Sequence, residues 1–342
     1  MKAAVYYGPL DVRTEEVEMP KIEDNEILVK VKACGICGTD LHMYKLGLFS
    51  ETLCRQLEKG GIPGHEFSGE VVKVGRRVRR LEEGERVAAV YFGGMAEYNP
   101  VPYFRDVNVH KLPPEVSYEE AATLEPLANS LHATLRANPS KGETAVIFGA
   151  GAIGLGIVQC LKALELELNK IIVVDMSDHR LNIAKQLGAD EVINASVDDP
   201  NEKILDFVGY IPIISQISEF SEKTPKVDVI YDCVGYMKSH PGTPVIQQAI
   251  NMIRTIKGRI VIHGLFEENV NLDLVPLVSK QNSIIGSFGF DSSDIKQALE
   301  LMQSKKIDRT TIISHEFPLD QAKEAFEMQC NVNESVKVLI KP

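Results

Sequence analysis

TAVIFGAGAIGLG, residues 144–156, decides the fold. An apolar run ends at Gly149, Gly151 and Gly154, which are spaced G-x-G-x-x-G. Ile153, Ile157, Leu161 and Leu164 then fall at helical spacing. The glycine pattern alone is weak, but between a strand and a helix it marks a dinucleotide turn. The first glycine permits the tight turn, the second lets the backbone approach a pyrophosphate, and the third lets strand and helix pack closely. The free N–H groups of the helix start then face the phosphates.

The next strand, KIIVVD, ends at Asp175, 21 residues after Gly154. An acid there accepts from both ribose hydroxyls of NAD and repels a 2′-phosphate. Like charges at about 4 Å cost roughly 1 kcal/mol in water and about 4 at intermediate dielectric. The sequence therefore predicts NAD, with NADP disfavoured. Arg180 pulls the other way, since it can hold a phosphate or stack on adenine.

Working outward, strands and helices alternate from about residue 143. TAVIF, KIIVVD, DEVIN, VDVIYDCVG and GRIVIHG read as strands, and DHRLNIAKQLGA reads as a helix with a glycine stop. This alternation predicts a parallel sheet covered on both faces. The N-terminal part of the chain is β-rich, in EILVKVKACG, SGEVVKVG and GERVAAVYF. Residues 118–137, YEEAATLEPLANSLHATLRA, shift to helical period. The C-terminal part adds the strand NSIIGSFGF, the helix SSDIKQALELMQSKK and the strand SVKVLIK. The apolar segment 203–220 is expected to be a helix or an insertion. The fold class is α/β, and 342 residues suggest two domains.

A net charge of −11 argues against nucleic acid and anionic lipid as partners. Arg76, Arg77, Arg79 and Arg80 are followed at once by Glu82, Glu83 and Glu85, so they read as a solvated turn. The six cysteines form no paired framework, which fits a reducing cytoplasm. The N-terminus lacks the apolar core of a signal peptide. The uncharged stretch 144–161 is long enough to span a membrane, but its glycines read better as the strand–turn–helix above.

A second constellation lies in CGICGTDLHMY (34–44) and GGIPGHEFSGE (60–70). Separately, Cys37 is an ordinary buried hydrophobe and His65-Glu66 an ordinary turn. Together they supply sulfur, nitrogen and oxygen donors suited to zinc. With no four clustered cysteines, an open catalytic site is the sharper reading. A redox CxxC at Cys34/Cys37 is disfavoured because the pair ends a β-rich stretch, whereas thioredoxin-like motifs open a helix.

These two stretches, with LEPLANSLHA (124–133), GAGAIG (149–154) and SHEFPLDQAKEAFE (314–327), resemble the zinc-dependent medium-chain dehydrogenase/reductase family over essentially the whole chain. The resemblance is to its polyol branch of sorbitol, 2,3-butanediol and threonine dehydrogenases. It implies a GroES-like β-rich catalytic domain (1–125 and 286–342) and a Rossmann doubly wound domain (126–285), with the active site in the cleft between them. It implies Cys37 and His65 as zinc ligands and Glu66 or Glu125 as the acid completing the set. Thr39 would contact the substrate oxygen and relay its proton to His42. Beside Gly149, Gly151, Ile153, Gly154, Asp175 and Arg180, the segments His263-Gly264-Leu265 and Ser287-Phe288 would flank the nicotinamide. Asp40 is left as a structural hydrogen-bonder. The four-cysteine lobe of many relatives is missing, because GERVAAV runs almost directly into GGMAEY. One catalytic zinc per chain, with no structural zinc, is therefore expected, in a homodimer or homotetramer.

The implied reaction is NAD-linked oxidation of a secondary alcohol, a polyol or diol, to a ketone. L-Threonine 3-dehydrogenase activity is the alternative within the branch. A zinc-free, NADPH-using quinone or enoyl reductase is opposed by Cys37, His65 and Asp175. A non-catalytic NAD-binding protein is opposed by the presence of the metal ligands.

Overall fold

The strand Thr144–Phe148 is buried along its whole length and pairs in parallel with Lys170–Asp175 on one side and Val229–Asp232 on the other. This computed structural model describes residues 1–105, 107–212, 223–237 and 242–342. Across the sheet the order is Glu191–Asn194, Lys170–Asp175, Thr144–Phe148, Val229–Asp232, Arg259–Ile262 and Ser283–Gly286, all parallel. The first strand in sequence is thus central, and the chain winds away from it in both directions. That is the doubly wound order, whose switch point beside Thr144–Phe148 is where such sheets bind ligands. Val146, Phe148, Ile172, Ile230, Ile250 and Ile260 are among its buried core residues.

The described chain divides into two compact units, Leu127–Asp294 holding this sheet, and Met1–Pro126 with Ile295–Pro342. In the second of these a seven-stranded sheet centres on Glu26–Gly35. Glu66–Val74 pairs antiparallel on one side, with Gly35 opposite Glu66. The closing strand Lys337–Lys341 pairs on the other, with Leu339 opposite Gly35. Gly35 is therefore held between two strands at the point where the chain leaves the sheet for the helix Gly38–Leu46. A four-stranded sheet joins Lys2–Gly8 to its neighbours, and Val5, Ile27, Phe67, Met95 and Phe326 share the core.

Two expectations are refined. Residues 118–137 form not one helix but Tyr118–Ala121 and Leu124–Ala137. Pro126 explains the restart: lacking an N–H, it is tolerated in the first turn of a helix and not in its interior. Of the apolar segment 203–220, residues 203–208 end the helix Pro200–Val208, and Tyr210–Pro212 pairs with Lys223–Pro225. Residues 213–220 lie outside the described residues. No helix among the described residues is long and apolar enough to cross a membrane.

Candidate metal and nucleotide sites

Cys37 caps the helix Gly38–Leu46, and the carboxylate of Asp40, in its first turn, accepts the Cys37 backbone N–H at 2.8 Å. The cysteine's position is thereby fixed by the helix that carries Thr39 and His42. This corrects one sequence argument, since the CxxC both ends a strand and opens a helix. Cys34 is fully buried in the core, and both thiols are free.

Cys37, His65 and Glu66 each bring a ligand atom within 4.8 Å of the others. Glu66 is 1% exposed and its Oε2 forms an ion pair with Lys337, itself 2% exposed. Lys337 also donates to the carbonyl of Ile36 at 3.0 Å. Sequence reading missed Lys337, because a lysine in an alternating strand reads as solvent-facing. It also missed the need for a glycine at 35. A Cβ there would lie 2.6 Å from Glu66 Oε2 and 2.9 Å from Lys337 Cε.

Burial pushes the Cys37 thiol up, Glu66 adds to this and His65 opposes it. Burial works against a charge on His65, but Cys37, Asp40 and Glu125 outweigh it and hold the ring's proton well above its usual range. Burial would raise Glu66, but Lys337 and His65 bring it below the ordinary carboxylate value. Cys37 and His65 thus hold protons that a bound cation would displace, while Glu66 is held as the carboxylate. Four buried side-chain atoms there have no hydrogen-bond partner: Thr39 Oγ1, Asp40 Oδ1, His65 Nδ1 and Glu66 Oε1. Unsatisfied buried polar atoms are costly, and an ion or substrate is a standard reason for them. The donor set and its orphaned atoms fit zinc. Glu125 starts the helix Leu124–Ala137 and is not part of the close group, though its charge reaches His65 and Lys337.

A second group, His132, Asp291 and Asp294, also has ligand atoms within 4.8 Å. Here the atoms are already used: Asp294 Oδ2 pairs with His132 Nδ1 at 2.7 Å and accepts the Asp291 N–H at 2.8 Å.

In the other unit, Gly149 has φ +94°, a conformation that favours glycine. Gly151 caps the helix Ala152–Ala163, and nothing lies within 4 Å of where its Cβ would stand. Gly154 packs directly on the carbonyl of Gly149. Ile153 accepts a hydrogen bond from Ser130 through its carbonyl, at 3.0 Å. Asp175 accepts from the backbone N–H of Ala150 at 2.6 Å and of Ser177 at 2.9 Å, so it also braces the glycine turn. Burial lowers Arg180 and Asp175 opposes the shift, which sets the two side chains in one neighbourhood. His263 Nδ1 lies 3.4 Å from Ser287 Oγ, and burial lowers the ring to about 4, with His132 adding to the shift. Gly264 and Leu265 continue the same turn, while Phe288 is 96% exposed.

Two family models match the chain: "Alcohol dehydrogenase GroES-like domain" over residues 23–114 and "Zinc-binding dehydrogenase" over 152–304. Sorbitol dehydrogenase of Bos taurus is 31% identical, over 98% of this chain and 95% of that protein. The chain belongs to the zinc-dependent medium-chain alcohol dehydrogenase family. Its similarity is to the polyol branch: (R,R)-butanediol dehydrogenase of Bacillus subtilis (strain 168) is 30% identical over the full length of both chains. The crystal structure of 2R,3R-butanediol dehydrogenase from Bacillus subtilis superposes with a TM-score of 0.82. That match has 30% identity and covers 100% of this chain and 99% of that one.

Proposed function

We propose that this polyol-branch dehydrogenase oxidises a secondary alcohol, a polyol or vicinal diol, to a ketone with NAD as hydride acceptor. The observation that carries this reading is the Cys37–His65–Glu66 group, half-buried at Cys37 and His65 and buried at Glu66, with its orphaned polar atoms, in a chain that also carries the Gly149–Gly154 turn and Asp175. Cys37, His65 and Glu66 would hold one zinc, with Glu125 as a nearby charge. Zinc supplies Lewis-acid polarisation of the alcohol oxygen, and NAD supplies the redox chemistry.

The chain's own residues do the rest. The Thr39 hydroxyl takes the alcohol proton and passes it toward His42, and an imidazole is the side-chain type suited to return it to solvent. Lys337 holds one oxygen of Glu66 and leaves the other for the site. Gly149, Gly151, Ile153 and Gly154 receive the pyrophosphate, and Asp175 with Arg180 receives the adenosine ribose. His263, Gly264, Leu265, Ser287 and Phe288 flank the nicotinamide, and the low proton affinity of His263 keeps positive charge away from it. The nucleotide unit would span about 126–285.

Val275 and Val278, exposed on the helix Val275–Ser279, and Ile284, exposed on the edge strand Ser283–Gly286, support a homo-oligomer, because exposed apolar residues and an unpaired edge strand invite association. Light scattering that finds only monomer would contradict this. Six free cysteines support a reducing, cytoplasmic setting. The test of the activity is metal content together with NADH formation on a panel of polyols, diols, cyclitols and 3-hydroxy amino acids, with NAD and with NADP. Reduction of NAD by a polyol or diol is expected. No reduction with any secondary alcohol would contradict the reading.

A further inference from the structure

Asp232, the last residue of the strand Val229–Asp232, is 0% exposed and gathers four hydrogen bonds from two neighbouring turns. Its Oδ1 accepts the backbone N–H of Val234 at 3.0 Å and of Gly235 at 2.8 Å. Its carbonyl accepts the N–H of His263 and of Gly264, each at 2.9 Å. The turn that its carboxylate clamps is a wall for two other segments. On one side, a Cβ on Gly149 would stand 2.9 Å from Val234 Cγ2. On the other, Gly235 and Gly264 meet backbone to backbone. A Cβ on Gly235 would collide with the Leu265 carbonyl, and one on Gly264 with the Gly235 nitrogen. Tyr236 then donates to the Leu265 carbonyl at 3.0 Å. These turns stand at the carboxyl ends of adjacent parallel strands, the edge where such sheets bind nucleotides.

We propose that Asp232 is a positioning residue for the cofactor: its carboxylate fixes the 233–236 turn, and through it the 263–265 turn that flanks the nicotinamide. This rests on the nucleotide reading given above. The carboxylate acts as a two-fold acceptor for turn amides, a task an amide oxygen also performs and a methyl group does not. A role limited to general stability would weaken all variants in proportion to their loss of fold. A positioning role instead separates cofactor binding from chemistry.

The experiment compares D232N and D232A with the wild-type holoenzyme. It reads NADH affinity by fluorescence, KM for NAD against kcat at saturating cofactor, zinc content and thermal melting. D232N should bind NADH within about threefold of wild type. D232A should lose tenfold or more in NADH affinity and in KM for NAD, with zinc content retained and kcat changed much less. G264A, which forces the two turns apart without touching the carboxylate, should lose NADH affinity in the same direction. It carries the test if D232A does not fold.

A folded D232A that binds NADH like wild type would overturn the proposal. So would a folded, zinc-loaded D232N as weak as D232A, or an unaffected G264A. Failure of the wild-type protein to bind NADH would instead overturn the nucleotide reading on which the proposal rests.

Discussion

Glu66 and Lys337 form an ion pair with both side chains out of solvent, and the pair leaves Glu66 Oε1 without a hydrogen-bond partner. A pair so buried is costly to assemble and costlier to break, since removing one partner strands the other's charge. K337M should therefore cost about 3–5 kcal/mol in urea unfolding of metal-free protein. The double change E66Q/K337M should cost less than the sum of the two single changes. Additive costs would show that the pair is not coupled.

Two buried groups of the nucleotide unit should give opposite pH signatures. Burial raises Asp232 to about 6, against the turn amides that hold it lower. Its folded value exceeds its unfolded one, so its contribution is fully present below about pH 4 and is lost as pH rises through 6. His263 is lowered to about 4 by burial, so its contribution is present above about pH 6.5 and is lost as pH falls to 4. Each amounts to about 3 kcal/mol at most, and in the wild type the two oppose each other. D232N should become relatively less stable from pH 6.5 to 4.5 than wild type, and H263Q relatively more stable. Parallel melting profiles for all three proteins would sink this assignment.

The glycine turn separates folding from binding. Gly154 has no room for a methyl group because the Gly149 carbonyl stands against it, whereas Gly151 has open space. G154A should lose about 1–3 kcal/mol of stability, as overpacking does. G151A should melt like wild type yet lose about tenfold in NADH affinity, or about 1.4 kcal/mol, because the added carbon occupies the pyrophosphate's approach. A G151A protein with unchanged NADH affinity would remove the pyrophosphate from that turn.

The two cysteines of the CxxC should behave differently. C37A should purify without stoichiometric zinc. C34A, which removes a sulfur from the core, should keep its zinc while losing some stability. Equal zinc loss in both variants would make Cys34 a ligand beside Cys37, against the geometry that leaves it in the core.

The strands of the parallel sheet were legible because alternation and glycine stops are local signals. TAVIF and KIIVVD coincide with the strands Thr144–Phe148 and Lys170–Asp175. Cys37, His65 and Glu66 were legible through chemistry and resemblance, and the fold brings them within ligand distance of one another. Lys337, 271 positions from its partner Glu66, was not, since nothing in VKVLIK says which face is buried. Gly35 and Asp232 were silent for a similar reason. Their roles depend on what packs against them from other strands. The break at residues 122–123 could have been read, because Pro126 requires a helix start close before it.

The most direct test of the central claim is zinc-dependent alcohol oxidation by the purified full chain. Zinc content is measured by atomic absorption. NADH formation from a polyol or diol is followed before chelation, after chelation and after zinc is restored. The account predicts one zinc per chain, activity lost with the metal and regained with it, and no such recovery in C37A. Undiminished turnover in the metal-free protein, or full recovery in C37A, would contradict it.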